Sequence, residues 1–408
     1  MNKKIGTPKG IQNSHNSNLL IIFVFIRLMV STAFRMVYPF LPALARGLSV
    51  SFESIAMAVS ARSALGIFSP ALGAIADLHG RKQALIAALL IFGLSLLVIA
   101  LYPIYKVFFL GLLISGGATV IIDSSIHAYL GDKIPYSQRG RAIAIVELGW
   151  SLAYIIGIPI VGWNMTNIGW SSPFLWLGII GVITGGIIYI ILPSLPAVSN
   201  SIKELKFGLY EIIHPSSLSG LALAFFTVLA NQIINIVFGV WLEGYFNLKL
   251  NQIGAYSSII GIAGVCGVIC AILLTDRLGK PEAIGVGLGL NSLICLVLPL
   301  IGKKLLGVMI LLFLLYLSFE FILTSLIPLL TTFTTHGRGT FMAISLAVFS
   351  LGDSVGALIG PKLIQKGIFI NFYLAILFNA VAILLLISIK FWLNNKHIES
   401  NIKPIHMD

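Results

Sequence analysis

Charged residues fill only 10% of the 408 positions. Soluble domains carry about a quarter, so this shortage excludes an ordinary water-soluble globule. Cysteine is rarer still. Cys266, Cys270 and Cys295 all fall inside apolar runs without the usual companion ligands, which argues against a disulfide framework or a metal site. There is no Gly-rich loop ending in Lys and Ser or Thr, the pattern that cradles nucleotide phosphates, so direct ATP chemistry is not expected. A His/Glu pair at zinc spacing and a Gly-x-Ser-x-Gly elbow are missing too, and neither an enzymatic activity nor a cofactor is expected. Acid is scarcer than base: 14 Asp and Glu stand against 26 Lys and Arg, for a net charge of +12. The bases are scattered through short polar segments and not gathered on one domain, which speaks against a nucleic-acid partner.

What the chain has in abundance is apolar residues, at 58%, with a mean hydropathy of +1.01. Runs of about 18 or more apolar residues can cross ~30 Å of hydrocarbon as helices. Breaking the sequence at Pro, Gly and charge clusters gives twelve such spans: 19–44, 54–76, 83–104, 107–130, 142–164 and 171–194, then 217–242, 252–274, 283–302, 306–331, 340–364 and 370–393. The run after the polar residues 1–18 is too long for a signal peptide and reads as the first span. The 40 Gly residues suit close packing of membrane helices. The expected organisation is a tail (1–18), a six-helix bundle (19–194), a polar linker (195–216) with amphipathic spacing, a second six-helix bundle (217–393) and a second tail (394–408). With both tails cytoplasmic, the inner segments hold 16 Lys and Arg and the outer loops 7, the bias expected of a plasma-membrane protein of bacterial type.

The chain also repeats itself. Gly73, Asp77, Gly80, Arg81 and Lys82 form a short polar hinge between spans 2 and 3, and Asp276, Arg277, Gly279 and Lys280 form a second, 199 residues on, between spans 8 and 9. Residues 148–157 in span 5 (LGWSLAYIIG) share five of ten identities with 351–360 in span 11 (LGDSVGALIG), at an offset of 203. Arg139-Gly140 and Arg338-Gly339 precede those two spans. Six spans followed by six in the same orientation is a parallel-repeat plan. The hinge resembles the Gly-x-x-x-Asp-Arg-x-Gly-Arg-Lys signature of the major facilitator superfamily, with Leu78 in place of the first Arg and Ile272 in place of the second copy's Gly. That resemblance implies an all-α membrane protein of twelve transmembrane helices in two pseudo-symmetric halves. It also implies a cytoplasmic charge latch at the two hinges. Gly149, Gly157, Ile158, Pro159 and Gly162 resemble the antiporter branch's span 5 signature with its Gly-Pro step interrupted, and the Arg common in span 4 of proton-coupled members is missing.

Ionisable residues inside spans cost at least about 2.5 kcal/mol each to insert, so each is a functional candidate. They are Arg27, Arg35, Arg62, Asp123, His127, Glu147, Glu320 and Asp353. In the family resembled, spans 1, 4, 7 and 10 line the cavity. The candidate substrate- and ion-binding residues are therefore Arg27, Arg35, Asp123, Asn231, Gln232, Asn235 and Glu320, with Tyr38 and Trp241 near the mouth. Glu320 or Asp123 is the candidate to cycle a proton. Other readings stay open: Asp123 and His127 touching or solvated, Glu147 paired with Arg139 or Arg141, Arg35 anchoring the outer end, and the span 7 amides joining helices. The expected function is alternating-access, proton-coupled export of a small organic molecule by a monomer in the bilayer. The alternatives are uptake or exchange of an anionic metabolite through the Arg residues, and a non-transporting receptor or assembly partner.

Overall fold

In the computed structural model, residues 9–72, 80–193, 214–301, 304–333 and 338–402 are described, and they form helices and turns with no strand among them. The helices are α1 (Lys9–Arg35), α2 (Phe52–Leu72), α3 (Arg81–Leu101), α4 (Tyr105–Lys133), α5 (Gln138–Asn167), α6 (Ser172–Ile191), α7 (Pro215–Phe246), α8 (Leu250–Leu278), α9 (Lys280–Ile301), α10 (Leu305–Leu330), α11 (Phe341–Ile364) and α12 (Phe369–Trp392). Eleven of them, α2 to α12, are long and apolar enough to cross a membrane. α1 packs among these with Phe23, Ile26 and Val30 buried, which completes the expected twelve. The outer surface is oily: Ile190, Leu300 and Leu306 are 81%, 78% and 74% exposed, a pattern that suits lipid and not water. Gly73 and Asp77 of the first hinge, and nearly all of the expected amphipathic linker, lie outside the described residues.

Local sequence explains where the helices start and stop. Ser51 caps α2 by accepting the Ser54 amide. Pro215 sits at the first turn of α7, where its missing N–H costs nothing. The expected first span, 19–44, is not one continuous helix. α1 ends at Arg35, and a separate short helix runs from Leu41 to Gly47. Pro39 accounts for the break, because it lacks an N–H and disfavours helical backbone at the residue before it. α7 is interrupted at the corresponding depth, with a turn at Ile236–Val237 between Asn235 and Phe238. Arg35 and Asn235, which close the two broken segments, are 200 residues apart.

The duplication is written into the backbone. Every described residue with positive φ has a partner about half a chain away: Ser49 (53°) with Asn247 (52°), Gly80 (88°) with Gly279 (92°), and Gly169 (137°) with Gly367 (121°). The two halves meet through α5 against α8 and α2 against α11, which are the same contact related by the repeat. Glycine permits the first of these. A Cβ on Gly162 would come within 2.6 Å of the Leu250 carbonyl oxygen. Ser60 donates to the Ser354 carbonyl (2.8 Å), its hydroxyl lies 3.0 Å from that of Ser354, and Gln365 donates to Glu53 (2.8 Å). Arg46 on the short helix after α1 pairs with Glu243 of α7 at 2.5 Å. All these contacts lie between mid-depth and the Arg46 end. Among the described residues, no hydrogen bond or ion pair joins the halves nearer the Arg81 end.

Candidate functional site

A cavity of about 240 Å³ lies between the halves, lined from α1, α5, α7, α8, α10 and α11 and by Tyr38 beyond the α1 break. Arg35 and Asn235, the residues just before the breaks in α1 and α7, both line the space. Seven of the lining residues are aromatic: Phe34, Tyr38, Trp150, Tyr154, Tyr316, Phe319 and Phe349. Of the residues expected to line it, Arg35, Asn231, Gln232, Asn235 and Glu320 do so. Arg27 and Asp123 are not among the lining residues, and α4 contributes none.

Arg27 is occupied elsewhere. It pairs with Asp123 of α4 and, at 2.9 Å, with Glu147 of α5. His127 lies 2.9 Å from the other Glu147 oxygen, so Glu147 sits between Arg27 and His127 and not against Arg139 or Arg141. Arg139 instead donates to the Gly131 carbonyl. Asp123 and His127, one turn apart on α4, thus face different partners.

Arg35 has no carboxylate partner among the described residues. Its guanidinium carbon lies 3.8 Å from the centre of the Trp150 ring and 4.5 Å from that of Tyr154. Arg27 approaches Trp150 as well, at 5.0 Å, so the two arginines do share a helix face. Aromatic faces attract cations in this range, while the guanidinium edge keeps its N–H groups free for planar acceptors. Arg35 is 9% exposed, and its Nε has no hydrogen-bond partner. Arg62 of α2 lies 3.8 Å from the Phe34 ring and 3.5 Å from the Tyr38 hydroxyl, just behind the cavity wall.

The α7 amides form a directed relay. The Tyr316 hydroxyl donates to Asn235 Oδ1 (2.8 Å), and Asn235 Nδ2 donates to Gln232 Oε1 (3.0 Å). The Gln232 carbonyl is thereby engaged, and its Nε2, buried in a side chain only 1% exposed, has no partner. Across from these donors stand Glu320 of α10 and Asp353 of α11, neither of which makes an ion pair among the described residues. Gly264 and Gly267 bring α8 against Glu320, and a Cβ on Gly267 would come within 2.8 Å of the Glu320 Cβ.

Trp150, Tyr154 and Tyr316 belong to this cavity but were not among the expected site residues, and Asp353, a candidate as a charge inside a span, was not expected to line it. A signal for two of them is in the repeat: Trp150 and Asp353 occupy the same position of the duplicated LGxS segment. Tyr316 stands one turn before Glu320, on the same face. Trp241, expected near the mouth, is instead buried against Phe246 and Phe372.

At the Arg81 end the described hinge residues sit at helix boundaries. Gly80 and Gly279 supply positive φ just before α3 and α9. Arg81 Nε reaches Asp132 at the end of α4 (3.2 Å), and Lys280 donates to the Pro328 carbonyl (3.5 Å). Asp276 and Arg277 are exposed.

Comparison with known proteins agrees with this architecture. The family model described as Major Facilitator Superfamily matches residues 23–337. Multidrug resistance protein 2 of Bacillus subtilis (strain 168) is 24% identical over 392 residues, covering 92% of this chain and 94% of that protein. An uncharacterised MFS-type transporter of the same organism, YwfA, is 26% identical over 342 residues, 81% of each chain. Among solved structures, a bacterial homologue of the human lysosomal transporter Spinster superposes with a TM-score of 0.76 at 13% identity, covering 94% of this chain and 98% of the other.

Proposed function

The chain belongs to the Major Facilitator Superfamily, and from that premise we propose that it exports a small organic molecule in exchange for protons. That it is a multi-pass membrane transporter and not an enzyme follows from the family; the coupling and the direction are our reading. One observation carries it. Two carboxylates that make no ion pair among the described residues, Glu320 and Asp353, share an aromatic cavity between two pseudo-symmetric halves. An ionisable group inside a span is costly unless it has a use, and an acid that holds either a proton or a cationic substrate group, but not both, couples the two flows. The matched multidrug resistance protein supports export of organic compounds.

Among the described residues the polar contacts between the halves run from mid-depth to the Arg46 end, which we assign to the outer face from the distribution of bases. The structure is then an inward-facing state, both termini are cytoplasmic, and the hinges at Gly80–Lys82 and Asp276–Lys280 form the latch that closes the inner end in the opposite state. The protein works as a monomer in the bilayer. The test is transport in proteoliposomes with an imposed pH gradient. Glu320→Gln should abolish proton-driven accumulation of a transported dye while leaving downhill equilibration measurable. Unchanged proton-driven transport in that variant would remove Glu320 from the coupling, and no substrate-dependent flux by the unaltered protein would favour the receptor reading. A second reading, exchange of an anionic metabolite, draws on Arg35, which has no acidic partner in the cavity.

A further inference from the structure

Two of the residues lining the cavity carry a buried donor atom that makes no hydrogen bond among the described residues. Arg35 Nε and Gln232 Nε2 both lack partners, in side chains 9% and 1% exposed, and both residues line the same space. Leaving such groups unsatisfied is expensive. Their present neighbours preserve the vacancy. Trp150 and Tyr154 hold the Arg35 guanidinium by their ring faces without offering it a hydrogen-bond acceptor. The chain from Tyr316 through Asn235 engages the Gln232 carbonyl, and the Gln232 Nε2 is near the Tyr38 hydroxyl without making a hydrogen bond of good geometry. Two donors, one of them a planar cation, match a carboxylate on the ligand.

The rest of the cavity says what else that ligand carries. Arg35, with Arg62 just behind the wall, is balanced by Glu320 and Asp353. A site with charges of both signs and no large net charge suits a molecule that also carries both. The seven aromatic side chains supply flat faces for a ring. We propose that the substrate is an aromatic zwitterion, with its carboxylate on Arg35 and Gln232, its protonated amine facing Glu320 and Asp353, and its ring among the aromatic side chains of the cavity. This rests on the cavity being the substrate site, and it makes Arg35 and Gln232 determinants of specificity.

The test is equilibrium binding by calorimetry on the full-length protein in detergent, without a proton gradient. The probes share one ring: L-tryptophan carries both charges, tryptophan methyl ester and tryptamine carry the cation alone, and indole-3-propionate carries the anion alone. The unaltered protein should bind L-tryptophan at least about tenfold more tightly than its methyl ester. Gln232→Leu should reduce that preference severalfold, and Arg35→Met should abolish it while sparing tryptamine. Gln232→Glu, which keeps the shape and replaces the free donor by an acid, should invert it, so the outcome does not depend on Arg35→Met folding. An ester bound as tightly as the zwitterion, no measurable binding of L-tryptophan, or a preference unmoved by the Gln232 variants would each overturn the proposal. Because no gradient is used, these results are independent of whether Glu320 couples transport to protons.

Discussion

Arg27 and Arg35 lie on one face of one helix, yet their surroundings give them opposite roles. Arg27 is saturated by Asp123 and Glu147, whereas Arg35 meets only aromatic faces and a cavity. Replacing Arg27 by Met should therefore act on folding and not on substrate choice, because it strands two acids in the first half of the bundle. A loss of about 2 kcal/mol is expected, between the values for exposed pairs and for broken buried pairs because the acids are partly exposed. Thermal unfolding in detergent would show it, and adding Asp123→Asn and Glu147→Gln should recover most of the loss. The sequence singled out both arginines through the cost of charge in a membrane, but it could not separate them. What separates them is which side chains from α4 and α5 arrive at each height, and that is decided by packing between helices distant in sequence. The amides of α7 were likewise visible as candidates, while the direction of their relay depends on Tyr316, 81 residues away from Asn235.

Among the elements, α5 carries the most telling irregularity. A single π turn, Ala153–Gly157, interrupts it just before Pro159. Proline cannot donate to the carbonyl four residues back, which here belongs to Ile155, and that carbonyl accepts instead from Ser258 of α8 (3.3 Å). The irregularity places Tyr154 in the cavity and binds α5 to the opposite half. Ser258→Ala should cost about 1 kcal/mol in unfolding by denaturant, and the cost should shrink in a Pro159→Ala background, where the helix can satisfy Ile155 itself. Apart from the first, the spans read from the sequence match the helices to within a few residues, as with 107–130 against Tyr105–Lys133. The breaks were less legible. Pro39 marks the one in α1, but the turn at Ile236–Val237 in α7 has no proline or glycine within it. The backbone repeats hid in the same way: glycine marks the pair Gly80 and Gly279, whereas Ser49 and Asn247 share a conformation without sharing a residue type.

At the scale of the molecule, composition and one repeated hinge sufficed for twelve helices in two halves, because hydropathy and duplication are properties of sequence. The relative posture of the halves is not, since it lies in contacts that change during the cycle. Midway along α2 and α11 the seam brings together Ser60 and Ser354, whose hydroxyl oxygens are 3.0 Å apart. Cysteine at both positions should form a disulfide under mild oxidation, since the separation and the small side chains suit that bond. Transport should then fall to background and return with reductant. Undiminished transport by the cross-linked protein would show that α2 and α11 do not need to part.

The seam also holds Arg46 and Glu243, whose side chains are 62% and 21% exposed, the one ion pair across it among the described residues. An exposed pair of this kind contributes no more than about 1 kcal/mol and is screened by dissolved ions, whereas the serine contact deeper in the seam is not. The balance between the two postures of the protein is therefore set partly by the medium bathing that end. Brine and fresh water should favour different resting states of the same molecule, by at most about fivefold.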